Sequence, residues 1–113
     1  MRKDDLIRIK HMLDAAHEAR AFASGKTKDT LEKDRLHTLG LVKEIEIIGE
    51  AAGKLSEETR TKYSTIPWID IISMRNRLIH AYFDIDFEVV WDSVTKDLPP
   101  LIAELEKIIE SEK

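Results

Sequence analysis

Cysteine is absent from this 113-residue chain, which excludes disulfides, thiol catalysis and cysteine metal sites and suits a reducing cytosol. Positive charge is in short supply: 18 Lys and Arg face 22 Asp and Glu, a formal net charge of −4. A generic nucleic-acid coating protein is thereby excluded, because broad phosphate neutralisation needs a basic surface, although a local cationic pocket stays open. No stretch approaches the roughly 20 apolar residues of a membrane span, and no signal-peptide core follows Met1-Arg2-Lys3-Asp4-Asp5. Internal repeats, low-complexity tracts and long linkers are also missing. At this length one domain over residues 1–113 is expected, soluble and cytoplasmic, with a modest core that self-association would enlarge.

Helical periodicity is what remains. Leu6, Ile9, Leu13, Ala16 and Ala23 recur at helical steps, and Ser24-Gly25 ends that helix. A second helix is expected from about Thr30 to Leu55, with Leu41, Ile45, Ile48, Ala52 and Leu55 on one face. Gly49 and Gly53, four apart, clear a groove for another helix, and a tight packing contact is the favoured reading over ligand binding. Ser56 reads as the N-cap of a short helix to about Tyr63, Pro67 suits the first turn of the next, and Asp86 caps a last helix from Phe87. Pro99-Pro100 should kink or interrupt that last helix. The expected fold is all-α: an up-and-down antiparallel bundle of about five helices.

Placed on one helix from Trp68 to Phe83, the apolar face steps through residues 69, 72, 76, 79 and 83, so Asn76 interrupts it. A buried Asn needs partners, and His80, four residues on, lies on the same side. Arg75 falls on another stripe with Ile71, Leu78 and Tyr82. Polar residues that break an apolar pattern often mark functional sites. From periodicity alone, solvated arginines, a satisfied core histidine and a Tyr82 at the core edge are the slightly favoured reading of the run. On a continuous helix Arg75 and His80 diverge by about 140°. Either the helix unwinds near His80, or a second copy completes the site across a two-fold axis. A homodimer with a composite cleft is the expectation that follows.

Histidine moves protons near neutral pH, and arginine offers a charged planar fork that matches phosphate oxygens. Together they suit RNA cleavage, His80 taking a proton from a 2′-hydroxyl while Arg75 stabilises the phosphorane. Asn76 would orient His80 or donate to the phosphate. No metal or cofactor is required. Asp84 and Asp86 read as a solvated turn and a helix cap, and His11, His17 and His37 as surface-helix residues rather than metal ligands.

The run Arg75-Asn76-Arg77-Leu78-Ile79-His80-Ala81-Tyr82 resembles the R-x-x-x-x-H-x-Y signature of the HepT-like branch of the HEPN superfamily. Ile47-Ile48-Gly49-Glu50-Ala51-Ala52, Ile66-Pro67-Trp68, Tyr82-Phe83-Asp84-Ile85-Asp86, Val90-Trp91 and Asp97-Leu98-Pro99 extend the resemblance over nearly the whole chain. It implies a metal-independent endoribonuclease toxin whose cleft lies at a homodimer interface. Arg75 and His80 would be the catalytic pair and Asn76 the assisting residue; Arg77, between them in the run, is a separate candidate for an RNA phosphate contact. It further implies an MntA-like minimal nucleotidyltransferase antitoxin that transfers AMP to Tyr82. Glu50 is open between pairing with Arg75 or Arg77 and a plain surface role. Two alternatives stay open: a non-catalytic HEPN module that binds or assists a nucleotidyltransferase, and a purely structural dimerisation module.

Overall fold

The computed structural model describes residues 1–81 and 84–113, with Ile79, His80 and Ala81 described in backbone alone. Seven α-helices are found among the described residues: α1 Lys3–Ala23, α2 Lys28–Glu32, α3 Arg35–Gly53, α4 Glu57–Lys62, α5 Trp68–Leu78, α6 Phe87–Asp92 and α7 Leu98–Ser111. The all-α expectation holds. A two-stranded antiparallel hairpin, β1 Ile79–Ala81 and β2 Asp84–Ile85, sits between α5 and α6.

The local chemistry of each boundary is visible. Gly25 takes a φ of 74° just past α1, a conformation that costs glycine nothing. The single helix expected from Thr30 to Leu55 is divided, because Asp34 turns its carboxylate onto the His37 amide and starts α3 as a new helix. Ser56 caps α4 through the Thr59 amide, and Asp86 caps α6 through the Val89 amide, both as expected. As expected, the helix that begins at Phe87 is interrupted at Pro99 and Pro100, the break falling just ahead of them. They remove the N–H groups that the carbonyls of residues 95 and 96 need, and the chain passes through a π-helical turn over Ser93–Asp97, Leu98 N–H bonding Ser93 C=O.

Long helices α1 and α3 run antiparallel, since Asp5 of α1 meets Ser56 beyond the end of α3 while Phe22 lies against Gly40. Ile9, Met12, Ala16 and Ala19 of α1 pack toward Leu41, Ile45, Ile48 and Ala52 of α3. The expected α1 stripe is thus slightly out of phase, Leu6 and Leu13 being only half-buried. Alanines on α1 let the axes approach, and α7 closes the core with Leu98, Leu101, Leu105 and Ile108. Asp5 is itself buried, but its carboxylate accepts from Ser56 N, Ser56 Oγ and Thr59 Oγ1, which holds it charged. Burial alone would raise its pKa; those hydrogen bonds outweigh it and leave it lowered. No helix among the described residues is long and apolar enough to cross a membrane.

Candidate functional site

The site is built on α5 and its junction with the hairpin. The buried face of α5 is Trp68, Ile71, Met74 and Leu78, a helical series with no polar member. This corrects the expected face: Ile69 is 81% exposed, and Asn76 points to solvent instead of interrupting a core stripe. Both series keep steps of three and four, and packing against the rest of the bundle selected the one that hides Trp68.

At the end of the helix the structure takes the first of the two alternatives, unwinding before His80. α5 stops at Leu78, and its last carbonyl accepts from the Asp86 amide at 2.7 Å instead of from a following helical turn. Ile79 pairs with Ile85 and Ala81 with Asp84 across the hairpin. β-branched and aromatic residues dominate this stretch, and their weak helix propensity favours the switch. The separation of about 140° between Arg75 and His80 assumed a continuous helix, so it does not apply, nor does the i, i+4 contact of Asn76 with His80. The backbone of His80 lies in β1, two residues past the helix. Tyr82 falls outside the described residues.

Arg75 stands on the last turn of α5, more than half exposed. Its Nε donates to Glu46 Oε1 of α3 at 2.9 Å, and Glu46 Oε2 lies 4.0 Å from Lys43 Nζ. Close approach of α3 and α5 makes this reach possible. One turn along α3, a Cβ on Gly49 would meet the carbonyl oxygens of Ile71 and Ile72 at 3.2 and 3.3 Å. Gly49 is therefore the packing glycine that its spacing suggested. Gly53 is looser, with only the Ile72 side chain at 3.9 Å.

Other candidates are placed apart from Arg75. Arg77 donates through Nη2 to the Asp70 carbonyl at 3.2 Å and lines a groove of about 410 Å³ with Asp70, Asp97 and Glu104 over apolar Met74 and Leu101. A phosphate there would meet three carboxylates. The Asn76 side chain is exposed and makes no hydrogen bond among the described residues. Glu50 pairs with neither arginine; it lines a separate groove of about 430 Å³ between α1 and α3 with Arg8, His11 and Lys54. Sequence reasoning missed Glu46, the carboxylate that does reach Arg75. Its only signal was its place one helical turn before Gly49.

Titration elsewhere reflects structure. Burial, and then the neighbouring Glu18 carboxyl, push Glu44 up to about 7. The His37 amide and imidazole hold Asp34 down to about 2, with His37 Nδ1 2.7 Å from Asp34 Oδ2. His17 lies 3.8 Å from Glu106 on the surface. Among the described residues no three His, Asp or Glu side chains are grouped to hold a metal ion.

Comparison with known proteins agrees with the motif. The model of a family described as ribonuclease HepT-like matches residues 12–108. A protein of Caldanaerobacter subterraneus named "Putative RNase" is 33% identical over 105 residues, covering 93% of this chain and 94% of the relative. "Probable ribonuclease HepT" of Thermococcus cleftensis is 36% identical over 75 residues, 66% of this chain and 68% of that one. A Methanocaldococcus jannaschii protein named "Gamma-glutamylcyclotransferase and putative RNase" is 38% identical over 110 residues; the match covers 97% of this chain but half of that protein. No solved structure matches.

Proposed function

The chain belongs to the HepT-like ribonuclease family, and from that premise we propose that it is an endoribonuclease toxin using Arg75 and His80. One observation carries the reading. An exposed guanidinium, anchored among the described residues through Nε alone, stands three residues before the point where α5 gives way to the strand bearing His80. In the proposed reaction the His80 imidazole takes the proton of a ribose 2′-hydroxyl. The 2′-oxygen then attacks the adjacent phosphorus, and Arg75 neutralises charge on the phosphorane oxygens. The bond to the 5′-oxygen breaks, that oxygen takes up a proton, and the products carry a 2′,3′-cyclic phosphate and a 5′-hydroxyl. The scheme uses no metal. Asn76, exposed beside Arg75, is the assisting hydrogen-bond donor, and Arg77 is a weaker phosphate candidate because of its acidic groove.

The working form is read as a homodimer in the cytoplasm. Support comes from Leu36 and Leu39 on α3 and Ile69 on α5, apolar residues left exposed on the two helices that carry the Glu46–Arg75 pair. Its regulator is read as an MntA-like nucleotidyltransferase antitoxin that AMPylates Tyr82. There the tyrosine oxygen attacks the α-phosphorus of ATP, pyrophosphate leaves, and the new phosphate repels RNA from Arg75. The acidic net charge of −4 favours one competing reading, a non-catalytic module that binds a nucleotidyltransferase. Cleavage of defined RNA by the purified chain, with and without chelator, separates the two. Cyclic phosphate ends formed equally in both conditions support the ribonuclease; intact RNA throughout supports the binding module.

A further inference from the structure

Among the described residues, Glu46 is the one side chain that holds Arg75, and it does so through Nε. Guanidinium groups present two donor edges, one made by Nε with an Nη and one by the two Nη atoms. Glu46 Oε1 occupies Nε at 2.9 Å, and Arg75 is more than half exposed. We propose that Glu46 is a positioning residue that clamps Arg75 by Nε and leaves the terminal Nη edge free to fork a phosphate. This inference rests on the ribonuclease reading of the same site.

Glu46 is well suited to the task. It is only about one-quarter exposed and projects from α3, the helix whose backbone Gly49 brings against that of α5. A carboxylate on a rigid, packed helix fixes its partner more narrowly than one on a loop. An unclamped arginine samples many rotamers and must be ordered afresh as the phosphorane forms. A carboxylate beside the site also opposes the RNA charge, and Lys43, 4.0 Å from Glu46 Oε2, offsets it. Loss of Glu46 therefore leaves RNA binding intact, or slightly stronger, while turnover suffers because the fork is no longer held where the phosphorane forms. Exposed ion pairs add little to folding, so the effect is separable from stability.

The test compares wild type with Glu46→Ala and Glu46→Gln, using a defined single-stranded RNA. Expected is a fall of about tenfold in kcat for Glu46→Ala with KM within about twofold, since orientation rather than affinity is lost. Glu46→Gln, whose amide oxygen still accepts from Nε, restores most of that loss. Melting temperatures stay together across the three proteins. The Arg75 Nε–H resonance, assigned by its loss in Arg75→Lys, is shifted and slow to exchange in wild type and Glu46→Gln but not in Glu46→Ala. Wild-type kcat in Glu46→Ala, or equal losses in both variants, overturns the proposal. If wild type cleaves no RNA, the ribonuclease reading fails and the catalytic role with it. The Nε–H resonance still reports separately whether the clamp exists.

Discussion

Replacing Glu44 with Gln should make the protein more stable at pH 8 and change little near pH 5. Glu44 lies on α3, 5% exposed, facing Glu18 of α1, and its Oε2 has no hydrogen-bond partner. Burial first, and the Glu18 carboxyl second, raise its pKa from the usual 4.5 to about 7. The unfolded chain releases this proton near pH 4.5, whereas the folded chain keeps it until about pH 7. Between those values the folded state binds more protons, so its stability declines as pH rises, and above pH 7 the cost is complete. A rise from 4.5 to about 7, at about 1.4 kcal/mol per unit, comes to about 3 kcal/mol. For a domain of this size that is roughly 10 °C in melting temperature. Glutamine mimics the protonated acid in shape and never ionises. Thermal unfolding followed by circular dichroism, from pH 5 to 8, reads the difference between variant and wild type. It should grow from near zero to roughly 10 °C. A difference that is constant with pH would refute the reasoning, and Glu18→Gln should flatten the wild-type slope in part.

Two further predictions concern packing and a buried charge. Gly49→Ala forces a methyl onto the Ile71 and Ile72 carbonyls and should destabilise by about 1 kcal/mol despite its gain in helix propensity; Gly53→Ala, whose methyl meets only the Ile72 side chain at ordinary contact distance, should stabilise by about 0.5 kcal/mol. Urea midpoints check both, and a destabilised Gly53→Ala would show that the two glycines were ranked wrongly. Asp5→Ala strips three hydrogen bonds between α1 and the start of α4 and should cost about 3 kcal/mol. A loss under about 1 kcal/mol in chemical denaturation would mean that water replaces the carboxylate there.

Much of this architecture could be read from side chains that act locally. Ser56, Asp86 and Gly25 mark boundaries because a cap or a positive φ is decided within a few residues. Gly49 was legible through its spacing. The phase of α5 was not, since residues 69, 72, 76 and 79 and residues 68, 71, 74 and 78 both follow helical steps. The series free of polar members was the correct one, and weighing the cost of Asn76 more heavily would have chosen it. The end of α5 at Leu78 depends on an amide from Asp86, eight residues later. The bond between Glu46 and Arg75 depends on how α3 and α5 pack, so neither feature is visible in a local window. At the candidate site, motif spacing named Arg75, Asn76 and His80. It misjudged the environment of Asn76, left unwinding near His80 as one of two alternatives, and passed over Glu46.

The central claim is that Arg75 and His80 cut RNA, and cleavage of a defined RNA by wild type, Arg75→Ala and His80→Ala in the presence of chelator tests it most directly. Wild type should cleave; either substitution should reduce turnover by about a hundredfold or more, the usual scale for losing a general base or a charge stabiliser, with melting temperatures unchanged. Cleavage that persists undiminished in both variants would contradict the assignment.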